Sequence, residues 1–237
     1  MTGLVFLFLV CNACHSKNKY DQWSQYKGSD DNIQYSSLTE IDTSNVSTLA
    51  IAWEYHTGDA DTISHSQIQC NPIIVNGLLF GTSPKMKLFA IDAETGAEKW
   101  QFNPFDSIYN SGKLSSLNSC RGVTYWSDGN NDGRLFYTAG SYLWCISSET
   151  GKPINAFGDG GKIDLHVGLG DDVKDQFVTA TSPGTIYKDL IVMGSRVNEG
   201  HQAAPGHIRA FDVRTGKMKW IFRTIPQPGE TGYESWK

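Results

Sequence analysis

The stretch Ala90-x-Asp92-x-x-Thr95-Gly96-x-x-x-Trp100 recurs as Ala210-x-Asp212-x-x-Thr215-Gly216-x-x-x-Trp220, and a worn copy, Cys145-x-Ser147-x-x-Thr150-Gly151, lies between them. Each copy reads as an apolar strand, a tight turn whose glycine can take positive φ, and a returning strand that ends in a large aromatic. Asp92 and Ser147 are 55 residues apart, and Ser147 and Asp212 are 65 apart. Those spacings suit four-stranded sheets repeated with loop insertions, so the chain is predicted to be all-β and a β-propeller.

Strand patterns by β-branched and aromatic content fall at 49–55, 72–81, 87–92, 98–102, 134–139, 142–147, 185–194, 208–213 and 218–223, and nothing longer than a turn reads as helix. Gly, Asn, Asp, Ser and Pro fill the gaps, notably 128–133, 158–161 and 199–206. Trp53, Trp100 and Trp220 would each close the last strand of a blade and dock on the next, with Phe157 standing in for the worn copy. That makes roughly three to four blades, too few to close a ring around a central ligand. The residues from Gly232 to Lys237 have no terminal character, so the expectation is the amino-terminal part of a propeller.

Of the 237 residues, 39% are hydrophobic and 19% charged, which fits a soluble globular chain and argues against disorder or membrane spanning. A net charge of -5 leaves no basic footprint for nucleic acid. The start differs: Leu4–Val10 is an unbroken apolar run too short to span a bilayer, and residues 1–19 read as a secretory leader ahead of a propeller region over 20–237. Ala13-Cys14 followed by polar His15-Ser16-Lys17 also matches the lipid-attachment site of a bacterial lipoprotein. No Lys or Arg precedes the apolar run, however, and Cys11 rather than Leu sits three residues before Cys14. A cleaved leader and a lipid anchor at Cys14 both stay open, and both place the protein in the periplasm. Without the leader, Cys70, Cys120 and Cys145 remain, so at most one disulfide can form and bridges do not organise the fold.

Two motifs mislead. Cys11-x-x-Cys14-His15 satisfies the c-type haem attachment pattern, but it abuts an apolar leader and no small helical domain with an axial Met follows. Asp128-x-Asn130-x-Asp132-Gly133 opens like a calcium-binding EF-hand loop, yet its twelfth position is Ala139 and no helices flank it.

The repeat, with the segments Asn71–Gly77, Cys120–Trp126 and Gly206–Asp212, resembles the pyrroloquinoline quinone (PQQ)-dependent dehydrogenases, nearest the glucose dehydrogenase-like branch. The resemblance covers 20–237 and implies an eight-bladed propeller with PQQ on its axis beside a Ca²⁺ ion. PQQ carries three carboxylates and an ortho-quinone, so its pocket needs a planar cationic fork and neutral hydrogen-bond partners. By the resemblance, Arg121 is that fork, and Gln69 stands where the family has a Glu against the cofactor, keeping the hydrogen bonding without the charge. Ser195 and the Thr181-Ser182-Pro183 turn match hydroxyl positions lining the pocket. Glu199 matches the acidic Ca²⁺ ligand and Asn198 lies beside it, oxygen donors of the kind a hard cation takes. The methanol dehydrogenase branch has adjacent cysteines where this chain has Ser115 and Ser116, which points instead to the sugar or broader alcohol branch.

The activity implied is oxidation of an alcohol, or of an aldose at its anomeric hydroxyl. A carboxylate takes the hydroxyl proton, hydride passes to the C5 carbonyl carbon of PQQ, Ca²⁺ polarises that carbonyl, and electrons leave to a quinone or a cytochrome. No residue here is assigned as the base, since the family places it in later blades, so this polypeptide alone is expected to be inactive. The rival is a non-catalytic propeller lipoprotein that scaffolds outer-membrane assembly. It would share the repeats but would have no use for Arg121 or Glu199.

Overall fold

The computed structural model describes residues 22–29, 31–61, 63, 66–106 and 119–236. The leader with Cys11, Cys14 and His15, and the pair Ser115 and Ser116, lie outside the described residues. Three four-stranded antiparallel sheets follow one another along the chain. The first is β1 (Ile73–Val75), β2 (Leu78–Thr82), β3 (Leu88–Asp92) and β4 (Glu98–Phe102), and the second is β5 (Thr124–Ser127), β6 (Gly133–Ala139), β7 (Tyr142–Ser147) and β8 (Lys162–Asp164). In the third, β10 (Thr185–Tyr187), β11 (Leu190–Met193), β13 (Ile208–Asp212) and β14 (Met218–Phe222) lie in that order, while β9 (Val178–Thr179) and β12 (Arg196–Val197) pair separately as a short ribbon. Three single-turn 3-10 helices are the helical content among the described residues, as the patterning predicts.

The repeat is visible atom by atom. In the first copy the Asp92 carboxylate accepts from the Thr95 amide at 3.0 Å and the Asp92 carbonyl from the Gly96 amide at 2.9 Å. In the third, Asp212 accepts from Thr215 at 2.9 Å and its carbonyl from Gly216 at 2.8 Å. The worn copy keeps the geometry with a hydroxyl, Ser147 Oγ accepting from the Thr150 amide at 3.2 Å. Lys99 beside Asp92, with the amide bonds, holds that carboxyl below the usual carboxylate range. These bonds turn the chain so that Gly96, Gly151 and Gly216 take φ of 72°, 68° and 71°, the left-handed region that glycine enters without strain.

Those glycines are also where the blades lock. A methyl group on Gly96 would meet the Trp53 indole at 2.6 Å, and one on Gly151 would meet the Trp100 indole at 2.6 Å. Trp100 also donates Nε1–H to the Ser148 carbonyl at 3.2 Å. At Gly216 a methyl group would first meet the Gly158 backbone at 2.9 Å, with the ring of fully buried Phe157 beside it at 3.5 Å, so the aromatic of the worn copy lies next to the glycine without filling the seat as the indoles do. Between the blades lie two apolar cores. Ile73, Phe80, Leu88 and Phe102 meet Leu135, Tyr137 and Trp144 in one, and Phe136, Leu143 and Phe157 meet Ile191, Met193 and Phe211 in the other. Each such large side chain withdrawn from water contributes about 1.5–3 kcal/mol.

The strand expectations need three corrections. The predicted strand 72–81 is a hairpin, folded at Asn76-Gly77 with φ of 51° and 77°, the two-residue turn that suits strand twist. The stretch 185–194 is a second hairpin, turning at Lys188 with φ of 54°. Leu49–Tyr55 pairs with no strand among the described residues. It lies instead as an extended cover on the first blade, where Trp53 meets Gly96 and the Tyr55 hydroxyl donates to Glu98 at 2.6 Å.

Gly151→Ala forces a methyl into the Trp100 ring on top of the positive-φ strain, whereas Gly129, with φ of 82°, has nothing within 4 Å of its missing Cβ. Urea denaturation should show Gly151→Ala destabilised by about 2–4 kcal/mol and Gly129→Ala by about 1 kcal/mol. Equal losses would refute the docking role of the ring.

Candidate functional site

Three segments lead into the innermost strands of the three blades: Cys70-Asn71-Pro72 into β1, Cys120-Arg121-Gly122 into β5, and Thr181-Ser182-Pro183 into β10. Backbone bonds stitch them side by side. The Asn71 amide donates to the Arg121 carbonyl at 2.9 Å, and the Arg121 amide donates to the Thr181 carbonyl at 2.7 Å. Asn71 and Gly122 form a parallel bridge, and Thr124 Oγ1 donates to the Gly184 carbonyl at 2.6 Å. The inner strands therefore run in one direction, and the residues just before them gather at one end of the blade stack.

Gln69, Arg121, Thr181 and Ser182 all sit at that end. Arg121 is exposed, and its guanidinium has no hydrogen-bond or ion-pair partner among the described residues while its main chain is fixed on both sides. Gln69 is also exposed, donating to Gln67 Oε1 at 3.2 Å. A planar fork, an amide and two hydroxyls carried on segments joined through their backbones are the kinds of group that suit a carboxylate-bearing quinone.

The third segment is fastened from behind. Thr179 Oγ1 donates to the Gly140 carbonyl at 2.6 Å and Thr138 Oγ1 to the Ala180 carbonyl, tying the run before Thr181 to the second blade. Ser195 precedes β12, whose Arg196 pairs with Thr179, so Ser195 lies near Ala180 and Thr181. Its hydroxyl accepts from Arg209 Nη2 at 2.5 Å. Asn198 and Glu199 continue past the last ribbon pair, Val197 with Val178, and are exposed. Among the described residues no three His, Cys, Asp or Glu side chains come together to hold a metal. Two oxygen donors, Asn198 and Glu199, do not make a calcium site, since the ion takes six to eight ligands.

Arg209 was not among the expected site residues. It is fully buried, and Nη1 donates to the carbonyls of Leu165 at 2.5 Å and Val167 at 2.9 Å, while Nε has no partner among the described residues. Burial pulls its pKa down to about 10, with Asp164 opposing, so it stays charged at neutral pH. Its signal lay in the alternation of Ile208-Arg209-Ala210-Phe211, which puts Arg209 on the inward side with Phe211. Behind the other segments, burial and the nearby Cys70 push the Cys120 thiol up to about 12, and burial raises Cys70.

The chain matches the family model for the β-propeller domain of PQQ-dependent glucose, ethanol and alcohol dehydrogenases over residues 23–237. It is 33% identical over 237 residues to the quinoprotein glucose dehydrogenase of Gluconobacter oxydans (strain 621H), covering 88% of this chain and 28% of that protein. It is 31% identical over 230 residues to the quinate/shikimate dehydrogenase (quinone) of Acinetobacter baylyi (strain ATCC 33305 / BD413 / ADP1), covering 86% of this chain and 28% of the other. In fold it resembles the quinohemoprotein alcohol dehydrogenase ADHIIG from Pseudomonas putida HK5, with a TM-score of 0.70 at 24% identity over 92% of this chain and 29% of that one. The chain thus spans 28% of the length of these curated relatives.

His207, next to this cluster, has its pKa lowered by burial and by Arg223 and Arg209, with Glu230 opposing. A histidine depressed in the folded state contributes stability above its unfolded pKa of about 6.5 and loses it as pH falls through that value. The thermal midpoint should therefore drop between about pH 7.5 and about pH 5.5. The drop should be smaller in His207→Gln; equal drops would remove His207 as the cause.

Proposed function

The chain belongs to the PQQ-dependent glucose/ethanol/alcohol dehydrogenase β-propeller family, and from that membership we propose that it supplies part of the cofactor site of a quinoprotein dehydrogenase acting on a sugar or alcohol hydroxyl. The observation that carries the reading is the lateral stitching of Asn71, Arg121 and Thr181, which brings Gln69, Arg121, Thr181 and Ser182 to one edge. When bound, PQQ supplies an electrophilic quinone that accepts hydride from the alcohol carbon. Arg121 would hold the cofactor's anionic groups with its charged fork, and Gln69, Thr181 and Ser182 would offer it neutral hydrogen bonds. Ser195 supports the hydroxyl side of the edge while Arg209 pins it in place.

Ca²⁺ would need more than this pair, with Asn198 and Glu199 offering two of the six to eight oxygen donors it takes. Electrons leave to a quinone or a cytochrome, and the protein works in the periplasm, with Cys14 as its lipid anchor if the leader is of the lipoprotein type. No residue of this chain is assigned as the base that takes the hydroxyl proton. The activity is thus proposed for these residues joined to the remainder of a family propeller.

Two measurements test this. In that complete propeller, PQQ and Ca²⁺ are added and dye reduction is followed with aldoses and alcohols. Arg121→Ala should lower kcat/KM by roughly 100-fold, the loss of about 3 kcal/mol of charge-assisted binding, and Glu199→Ala should raise the Ca²⁺ needed for half activity. Unchanged behaviour in both variants would sink the site, and failure to bind PQQ at all would bring back the scaffold reading. Residues 20–237 alone should leave PQQ unreduced; measurable turnover would show that a base lies within them.

A further inference from the structure

Cys70 and Cys120 come together behind the candidate edge. Each ends the segment just before a stitched residue, Cys70 before Asn71 and Cys120 before Arg121. The parallel bridge between Asn71 and Gly122 sets Cys70 opposite Arg121, so Cys120 is its diagonal neighbour across the strand pair at ~6 Å, within the ~4.4–6.8 Å between Cα atoms that a disulfide spans. Both sulfurs meet at one buried residue. The Thr82 amide donates to Cys70 Sγ at 3.4 Å, and Thr82 is also a neighbour of Cys120. Both thiols are free. Cys120 is buried and donates its S–H to the Gly122 carbonyl at 3.0 Å. Cys70 is half-buried and lines a cavity of about 230 Å³ with Trp53, Tyr55, Ile68, Thr82 and Phe89, so one sulfur of the pair is reachable from outside.

We propose that Cys70 and Cys120 are a redox modification site, closing an inter-blade disulfide by exchange with a small-molecule or protein disulfide. The Cys70 thiolate attacks the incoming disulfide, forms a mixed disulfide and releases one thiol. Cys120 then loses its proton and attacks the Cys70 sulfur, releasing the second thiol. Two S–H bonds are replaced by one S–S bond, and the incoming disulfide takes up both electrons and both protons. The order follows from access, since Cys70 faces the cavity and Cys120 does not. Burial raises both thiols, so exchange is slow at neutral pH and speeds up in alkali. The crosslink would fix Gln69, which precedes Cys70, against Arg121, which follows Cys120. The chemistry stands whether or not PQQ binds at that edge. Cys145, buried in the other core, is the internal control.

The full chain is treated with oxidised glutathione at mildly alkaline pH, alkylated, digested with trypsin and weighed. The expected product joins the Cys70 peptide to the Cys120 peptide, lighter by two hydrogens than the two reduced peptides together, with Cys145 alkylated. Cys120→Ser should stop at a glutathione adduct on Cys70, and Cys70→Ser should leave Cys120 alkylated. Closing the bridge should raise the thermal midpoint by roughly 5–10 °C, reversed by dithiothreitol. Wild-type protein with both residues still alkylated, with glutathione resting on Cys70, or bridged instead to Cys11, Cys14 or Cys145 would overturn the assignment.

Discussion

An aromatic ring lying on a glycine of the neighbouring blade is the contact on which the rest of the molecule depends. A sheet with two apolar faces is unstable alone, and each blade here gains its partner because a ring from the preceding chain seats on the bare Cα of its turn. The requirement runs in both directions. The Asp or Ser at the start of each turn fixes positive φ at the glycine, and the missing Cβ makes room for the ring. Once Trp53 and Trp100 are seated and Phe157 lies beside its glycine, the apolar faces between them come into contact. The inner strands are then aligned closely enough for Asn71, Arg121 and Thr181 to bond backbone to backbone.

Alignment has an electrostatic cost that the fold meets locally. Arg209 and Arg134 are both charged and buried. Arg134 forms a bidentate pair with Asp132, at 2.8 and 2.7 Å, and reaches the Val213 and Arg214 carbonyls of the next blade. Among the described residues Arg209 has no carboxylate in contact and relies on two carbonyls and a hydroxyl. The two differ in purpose as well as in partner. Arg134 bolts β6 of the second blade to the turn after β13 of the third, whereas Arg209 braces the loop around Leu165–Val167 against Ser195, behind the candidate edge.

Much of the architecture was legible because it repeats. The turn chemistry recurs at fixed offsets, and even the placing of Phe157 beside Gly216 follows from position. Legibility fell where a contact depends on residues far apart in sequence. The apolar run 49–55 has the composition of a strand, but pairing depends on a neighbour and composition cannot supply one. Asn76-Gly77 carries the strongest hairpin signal in the chain, yet the surrounding apolar residues hid it inside one long strand. At the site, the family motifs single out Arg121 and Thr181, but the bonds linking their backbones connect segments 50 to 60 residues apart. The nearness of Cys70 to Cys120 and the inward-facing Arg209 became visible only once the blades were stacked. Asn198 and Glu199 are the least determined, because they follow a two-residue ribbon with nothing after it to fix their direction.

Every one of these aromatics comes from the amino-terminal side: Trp53 on Gly96, Trp100 on Gly151, Phe157 beside Gly216. The separations are 43, 51 and 59 residues, about one blade of chain each time. During synthesis, each new turn therefore emerges to find its aromatic partner already made and waiting in the chain before it. Assembly acquires a direction that matches translation, one blade added per step, and no blade has to hold its unsealed face open for a residue that has yet to leave the ribosome.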